Sequence, residues 1–455
     1  MSAPSPENGA LRVRATEVLR VGQIWIAPVL VAAVFAGLVA SVYIGSVINP
    51  AGHLRGLPVM VVDQDSGAVV GGQHVNVGAS VTGALLRTRA VTDRLALARG
   101  TGSQAHAEMD KAGAYATLLI PPTLTRSVLL AAGIRTPGVA PPATAAVDLA
   151  QNLRLGATAS SLASGVLTPA ISEISRRTGA QLSALSTPAA RSNPILASRL
   201  ANPVTLTTTS YRPLPDHSAL GLSAFYIALL GLVTGFLAAV LINASVDAAL
   251  GYASSQMGPR FTQRRPIAIN RLQTFLVKWA SAVVAAPALT GAVLLVAVAG
   301  LGMYAPHVML LWALLTLSTL MTTTGTLALI AIFGSIGQLL AVFFLVYLSL
   351  ASSGATVPIQ ALPGVFRTIG HVEPLRNTLR GTQAILYFGA RGDAGLTTSL
   401  IVLACEFVFW AAVGLAATFW YDRRHPDRIY PTPINPLDHT HDHPVASHTM
   451  QAITD

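Results

Sequence analysis

Charge is what this chain has least of. Charged residues fill 11% of its 455 positions and hydrophobic residues 52%, whereas an ordinary soluble chain carries roughly 25% charged residues. That balance excludes a conventional water-soluble globule. Lysine is almost missing, with Lys111 and Lys278 the only two, and neither follows a glycine. The phosphate-cradling loop Gly-x-x-x-x-Gly-Lys-Ser/Thr is therefore absent, so any ATP-driven work needs a second chain for hydrolysis. The single cysteine, Cys405, rules out an intramolecular disulfide. A nucleophile elbow and paired metal-binding histidines are also missing, so the sequence predicts neither an enzyme nor a cofactor. Asp63 and Asp65 come nearest to a carboxylate pair, but Asp-x-Asp at a strand end is turn chemistry.

What is present is long apolar runs. Residues 24–46, 220–242, 276–303, 308–332, 336–357 and 399–421 are each long enough to cross a bilayer core, which takes roughly 20 helical residues. Backbone polar groups in lipid must pair within their own segment, so these runs predict six transmembrane helices. The fold class expected is a polytopic α-helical membrane protein with an extracytoplasmic α/β domain between helices 1 and 2. Its parts are a cytoplasmic segment over 1–23, helix 1 over 24–46, the α/β domain with a helical extension over 47–219, a five-helix permease-like domain over 220–421, and a disordered cytoplasmic tail over 422–455. The first apolar run exceeds the roughly 7–15 residues of a cleaved signal, which makes it an uncleaved signal-anchor.

Within 47–219, residues 57–63 (LPVMVVD), 115–120 (YATLLI) and 143–149 (ATAAVDL) read as strands bounded by turn residues. Residues 77–87, 104–111 and 123–132 read as helices, and the Ala- and Ser-rich stretch 152–185 as a helical arm. The stretch 188–203, with Arg212-Pro213-Leu214-Pro215, reads as the connection back to the membrane.

The net charge of +10 is almost all arginine, and in a chain this apolar it sets topology rather than binding nucleic acid. With both ends inside, the cytoplasmic segments hold Arg12, Arg14 and Arg20, then Arg260, Arg264, Arg265, Arg271 and Lys278, then Arg423, Arg424 and Arg428. Arg367, Arg376, Arg380 and Arg391, between runs five and six, stand against that bias. The connection 243–275 places Arg260, Arg264, Arg265 and Arg271 beside Ile269, Leu272 and Phe275, as an interfacial helix would. These arginines either set topology or dock a cytoplasmic ATPase. Glu406 is the one ionisable residue expected inside the runs, as a proton carrier or a buried interhelical contact. Histidines alternate in the tail at His439, His441 and His443, without a scaffold to fix a metal.

Residues 57–67 (LPVMVVDQDSG), Asn76-Val77-Gly78 and 115–121 (YATLLIP) resemble the outer-domain opening of the YhgE/Pip (phage infection protein) group, which is similar to type-2 ABC exporter permeases. A second patch, 357–363 (VPIQALP) with Phe366-Arg367, Pro374-Leu375, Arg380-Gly381 and Leu386-Tyr387-Phe388, resembles the segment such permeases fold between helices five and six. The coiled-coil insertions of larger members are missing. The resemblance implies export of a hydrophobic or amphipathic substrate through the plasma membrane by a homodimer with separate ATP-binding subunits. Two other readings stay open: a non-transporting surface protein, such as a phage receptor or secretion-system accessory, and a proton-driven pump of resistance-nodulation-division layout. The threonine-rich run 308–332 lacks the paired aspartates that such a pump uses.

Overall fold

The structure is a computed structural model that describes residues 22–70, 72–131, 145–185 and 194–425. Tyr43–Pro426 form one compact unit; of the other, which comprises Met1–Val42 and Asp427–Asp455, residues 22–42 are described. The His-rich tail lies outside the described residues.

Helix α1 (Gly22–Val47) is apolar throughout, and its stretch Ile26–Val47 is long enough to cross a membrane. After it the chain builds a sheet. Strand β1 (Leu57–Asp63) turns at Asp65 into a small hairpin, β2 (Ala68–Val70) and β3 (Gln73–Val75), and then into helix α2 (Val77–Arg87). Strand β4 (Leu95–Arg99) returns parallel to β1, helix α3 (Gly102–Asp110) crosses back, and β5 (Ala116–Ile120) pairs parallel with β1 on its other edge. Helix α4 (Leu124–Ala131) follows. Strand β6 (Ala146–Gln151) runs antiparallel to β5, helix α5 (Ala157–Leu185) crosses over, and β7 (Thr205–Ser210) lies parallel to β6. The sheet order is β4-β1-β5-β6-β7.

Because side chains alternate along a strand, β1 serves both faces of this sheet. Val59 and Val61 face a core shared with Val81, Leu85, Leu118, Leu149, Leu167 and Ile171, while Met60 and Val62 meet Ala105 and Met109 of α3. Three expectations change here. The predicted arm is α5, which packs on the sheet through the buried Ala159, Ala163, Leu167 and Ile171. The third strand, among the described residues, covers Ala146–Gln151 and so runs past its expected end at 149. Strands β4 and β7 come from stretches not read as strands.

Asp63 and Asp65 do turn chemistry. The Asp65 carboxylate accepts from the backbone N–H groups of Gly78 (2.9 Å), Thr125 (3.2 Å) and Gly67 (3.3 Å), and from the Thr125 hydroxyl. An anion there suits the positive end of α2, whose first N–H groups lack helical partners. A Cβ on Gly78 would meet Asp65 Cβ at 2.5 Å and Asp63 Oδ1 at 2.6 Å, so the motif needs glycine.

The second half is a helical bundle: α6 (Ser223–Ala249), α7 (Arg271–Leu294, continued as a π-helical turn to Gly300), α8 (Val308–Phe333) and α9 (Ser335–Ala341, continued through a π-helical stretch to Ser352). Then come α10 (Pro374–Tyr387) and α11 (Thr397–Arg424). With α1, six helices are long and apolar enough to span a membrane. Apolar helices gain little by meeting one another in lipid, so small residues and hydroxyl groups must hold them together. Helix α8 shows how. Its Thr319 and Thr323 hydroxyls donate to the Gly231 and Gly235 carbonyls of α6, both at 2.9 Å, and Thr290 of α7 bonds Thr316 at 2.8 Å. A Cβ on Gly235 would lie 2.6 Å from the Thr319 carbonyl oxygen, so glycine is what lets the backbones approach. Gly231 and Gly235 thus serve helix packing within one chain.

Candidate functional site

Helix α10 is short, rich in polar residues and yet buried. Asn377, Thr378 and Thr382 lie inside, with Leu375, Leu379, Ile385 and Leu386 in the bundle core. Its start is fixed by the Ser349 hydroxyl, which accepts the Leu375 N–H at 2.9 Å, and its middle by the Thr378–Ser318 bond at 2.8 Å. At its end the Tyr387 hydroxyl bonds Ser223 at 2.7 Å, while its carbonyl accepts from Arg154 at 2.8 Å. The sheet is tied on from the other side. Arg367 donates to the carbonyls of His53 (3.2 Å) and Gln360 (2.9 Å), the Arg55 N–H donates to the Gln360 carbonyl (2.8 Å), and the Tyr115 hydroxyl donates to Gln360 Oε1 (3.3 Å).

Between these ties lies a cavity of about 170 Å³ lined by Tyr115 and Pro58 of the sheet region, Gln360, and Arg376, Arg380 and Gln383 of α10. Arg376 and Arg380 are one helical turn apart on the same face. Neither has a carboxylate or hydrogen-bond partner among the described residues, and Arg376 Nη1 is buried without one. Burial, then the Arg380 charge, pushes the Arg376 guanidinium down to about 10. Burial and the same two arginines hold His371 below the usual imidazole range, and burial pushes the Tyr115 hydroxyl up. The nearby Glu108 carboxylate, behind Gly113, is held by Lys111 at 2.8 Å. The cavity is a pocket of uncompensated positive charge.

The candidates named from the sequence fall in two other places. Residues 250–270 form a hairpin, β8 (Ser255–Met257) with β9 (Arg260–Thr262), followed by extended chain, instead of an interfacial helix. The Tyr252 hydroxyl donates to the Ile267 carbonyl at 2.6 Å, and the Ile267 N–H to that of Leu250 at 3.0 Å, which fixes this extended path. Ile269 therefore lies outside the helix that holds Leu272 and Phe275. Arg260 is exposed on β9, and Arg264 and Arg265 on the chain that follows it, and no described carboxylate pairs with them. Arg271 is committed elsewhere. The Asp422 carboxylate of α11 accepts the Arg271 and Leu272 N–H groups at 3.0 and 2.9 Å, and the Arg271 guanidinium donates to the His425 carbonyl at 2.7 Å. That arrangement caps α7 and joins two helix ends.

Glu406 lies in α11, its carboxylate oxygens buried without a hydrogen-bond partner. It is not the only ionisable residue in the apolar helices. Lys278, counted above among the loop charges, lies within α7 and pairs with Asp247 of α6 at 2.6 Å. Glu406 also has an ionisable neighbour that the sequence hid, Glu373 at the start of α10. Burial, opposed by a Ser349 hydrogen bond, pushes the Glu373 carboxyl up to about 7. Among the described residues, no three His, Cys, Asp or Glu side chains group as a metal site.

A bundle of membrane-length apolar helices, with a polar helix buried between the last two, defines a helical membrane protein. The chain belongs to the family described as Protein of unknown function (DUF3533), whose model matches residues 28–406. No curated protein and no solved structure matches it.

Proposed function

We propose that this chain is the membrane permease subunit of a type-2-like ABC exporter, moving a hydrophobic or amphipathic substrate out of the cell with a separate cytoplasmic ATPase. It acts in the plasma membrane with both ends inside, its sheet outside and a second copy as partner. The observation that supports this reading is α10: a non-spanning helix between the fifth and sixth apolar helices, packed into the bundle, where the resemblance to such permeases implies a folded segment. The hairpin with Arg260, and the chain just after it with Arg264 and Arg265, offer an ATPase a basic, exposed contact at the opposite end of α6 from the sheet. Gentle purification of the full chain should then recover an ATPase carrying the phosphate-binding loop. Arg264→Glu with Arg265→Glu should abolish its recovery and substrate export while changing stability by no more than about 0.5 kcal/mol. If the double variant still recovers the ATPase and exports at the parental rate, docking at the hairpin is wrong; if the parental chain recovers no ATPase, the exporter reading fails.

One observation favours a second reading, proton coupling: the Glu373 and Glu406 carboxyls are neighbours. Glu406→Gln separates the two. Under the exporter reading transport persists; under proton coupling transport and its pH dependence vanish together.

A further inference from the structure

We propose that the cavity faced by Arg376, Arg380 and Gln383 binds a phosphate-type oxyanion, either the headgroup of an anionic phospholipid or a free phosphate. The inference stands on the cavity and holds whether or not the chain transports anything.

Its first support is a charge that the fold leaves unanswered. Two arginines one turn apart on a helix repel each other, and burying a guanidinium nitrogen without an acceptor is costly. An arginine that only marks topology keeps its guanidinium in water, but Arg376 Nη1 has neither water-facing surface nor partner. Two other cations of the bundle are answered from within: Lys278 by Asp247 and Arg271 by Asp422. The answering group is missing from the described chain, and although Nη1 itself is closed off, the Arg376 side chain lines the open cavity, so a ligand would meet the guanidinium through its other nitrogens. A volume of about 170 Å³ is on the order of ten times what one water needs.

The donors also suit one chemistry. Guanidinium forks match the paired oxygens of phosphate, and the Gln383 side chain adds a neutral donor. Tyr115 is held in place by Gln360, so the wall opposite the arginines is fixed. Position favours a lipid source. Ser353 and Gly354, which line the cavity, directly follow the fifth apolar helix, and Ala394 lies within the Gly392–Arg424 stretch of the sixth. The cavity thus sits where apolar helices end, at the level expected for headgroups.

The test uses the full chain purified in an uncharged detergent. Phosphatidylglycerol and phosphatidylcholine are titrated by native mass spectrometry, and inorganic phosphate by thermal shift. Gln383→Glu keeps both arginines but supplies an internal carboxylate beside them, and Arg380→Gln changes an exposed side chain that folding tolerates. Phosphatidylglycerol should bind in preference to phosphatidylcholine, and either substitution should weaken it about tenfold or more. Binding of the lipid without inorganic phosphate assigns the headgroup as the source. Stabilisation by inorganic phosphate with the same sensitivity to both variants assigns a free anion. If neither anion binds, or if both variants bind as the parent does, the site does not exist.

Discussion

Helices α8 and α10 are both polar at buried positions, and the contrast between them separates architecture from function. On α8, Ser318, Thr319 and Thr323 each have a partner, two of them backbone carbonyls on a neighbouring helix. On α10, Thr378 is paired in the same way, but Arg376 Nη1 one face round is buried with no partner among the described residues. Hydroxyl groups that donate to their own or a neighbouring backbone cost little in lipid and hold helices at a fixed distance. Guanidiniums left unpaired are costly, and a fold keeps them only where something else answers them. Helix α8 also has an unpaired buried hydroxyl, Thr326 Oγ1, so it is the buried charge without a partner, not unpaired polarity alone, that marks a site.

The largest effect expected comes from breaking the satisfied region. Gly235→Val places a branched side chain where a Cβ alone would lie 2.6 Å from the Thr319 carbonyl, and the two backbones must separate. A cost of about 3 kcal/mol, the upper part of the range for overpacking, is expected in detergent unfolding. If the variant unfolds with the parent, the α6–α8 contact is not what holds the bundle.

Glu373 tests the other region through pH. Its folded value of about 7 lies above the ordinary 4.5, so the folded state holds the proton more tightly than the unfolded one. The stabilisation is therefore complete below about pH 4.5 and is lost as pH rises through about 7. Glu373→Gln removes this titration. The variant should match the parent near pH 4.5 and exceed it above pH 8 by about 3 kcal/mol, read as unfolding midpoints at both pH values. A difference that does not change with pH would mean that Glu373, beside Glu406, is not held protonated by burial.

Smaller still is Thr319→Ala. It deletes one interhelical hydroxyl bond and should cost about 0.6 to 1.7 kcal/mol. A larger loss would show that the threonine face carries more than packing.

How far the sequence revealed these regions follows from the same physics. Apolar runs of spanning length declare themselves, and the helices fall where they were expected, with ends displaced by a few residues. Strand β7 (TLTTTS) escaped because it is an edge strand with mostly exposed threonines, and only Leu206 carries an apolar signal. Helix α5 was read as an arm because alanines at 159 and 163 make a weak stripe, although with Leu167 and Ile171 they recur every fourth residue on the sheet core. Arg376 and Arg380 were legible only as loop charges that opposed the topology. Nothing in local sequence says that a helix holding Asn377 and Thr378 is buried, because its burial comes from α6, α8, α9 and α11 around it. The Glu373–Glu406 neighbourhood is likewise a product of tertiary packing across 33 residues of sequence.

If the chain works as proposed, the sheet and the basic hairpin lie on opposite sides of one membrane. Helix α6 alone, with 27 residues, spans about 40 Å between them. Single cysteines at the exposed Ser66 of the β1–β2 turn and Ser254 of the hairpin region, each in a Cys405→Ala background, test this directly with a membrane-impermeant thiol reagent on intact cells. Ser66→Cys should label from outside, and Ser254→Cys should label only after the cells are opened. Labelling of Ser254→Cys in intact cells, with Ser66→Cys protected, would invert the molecule and contradict the account.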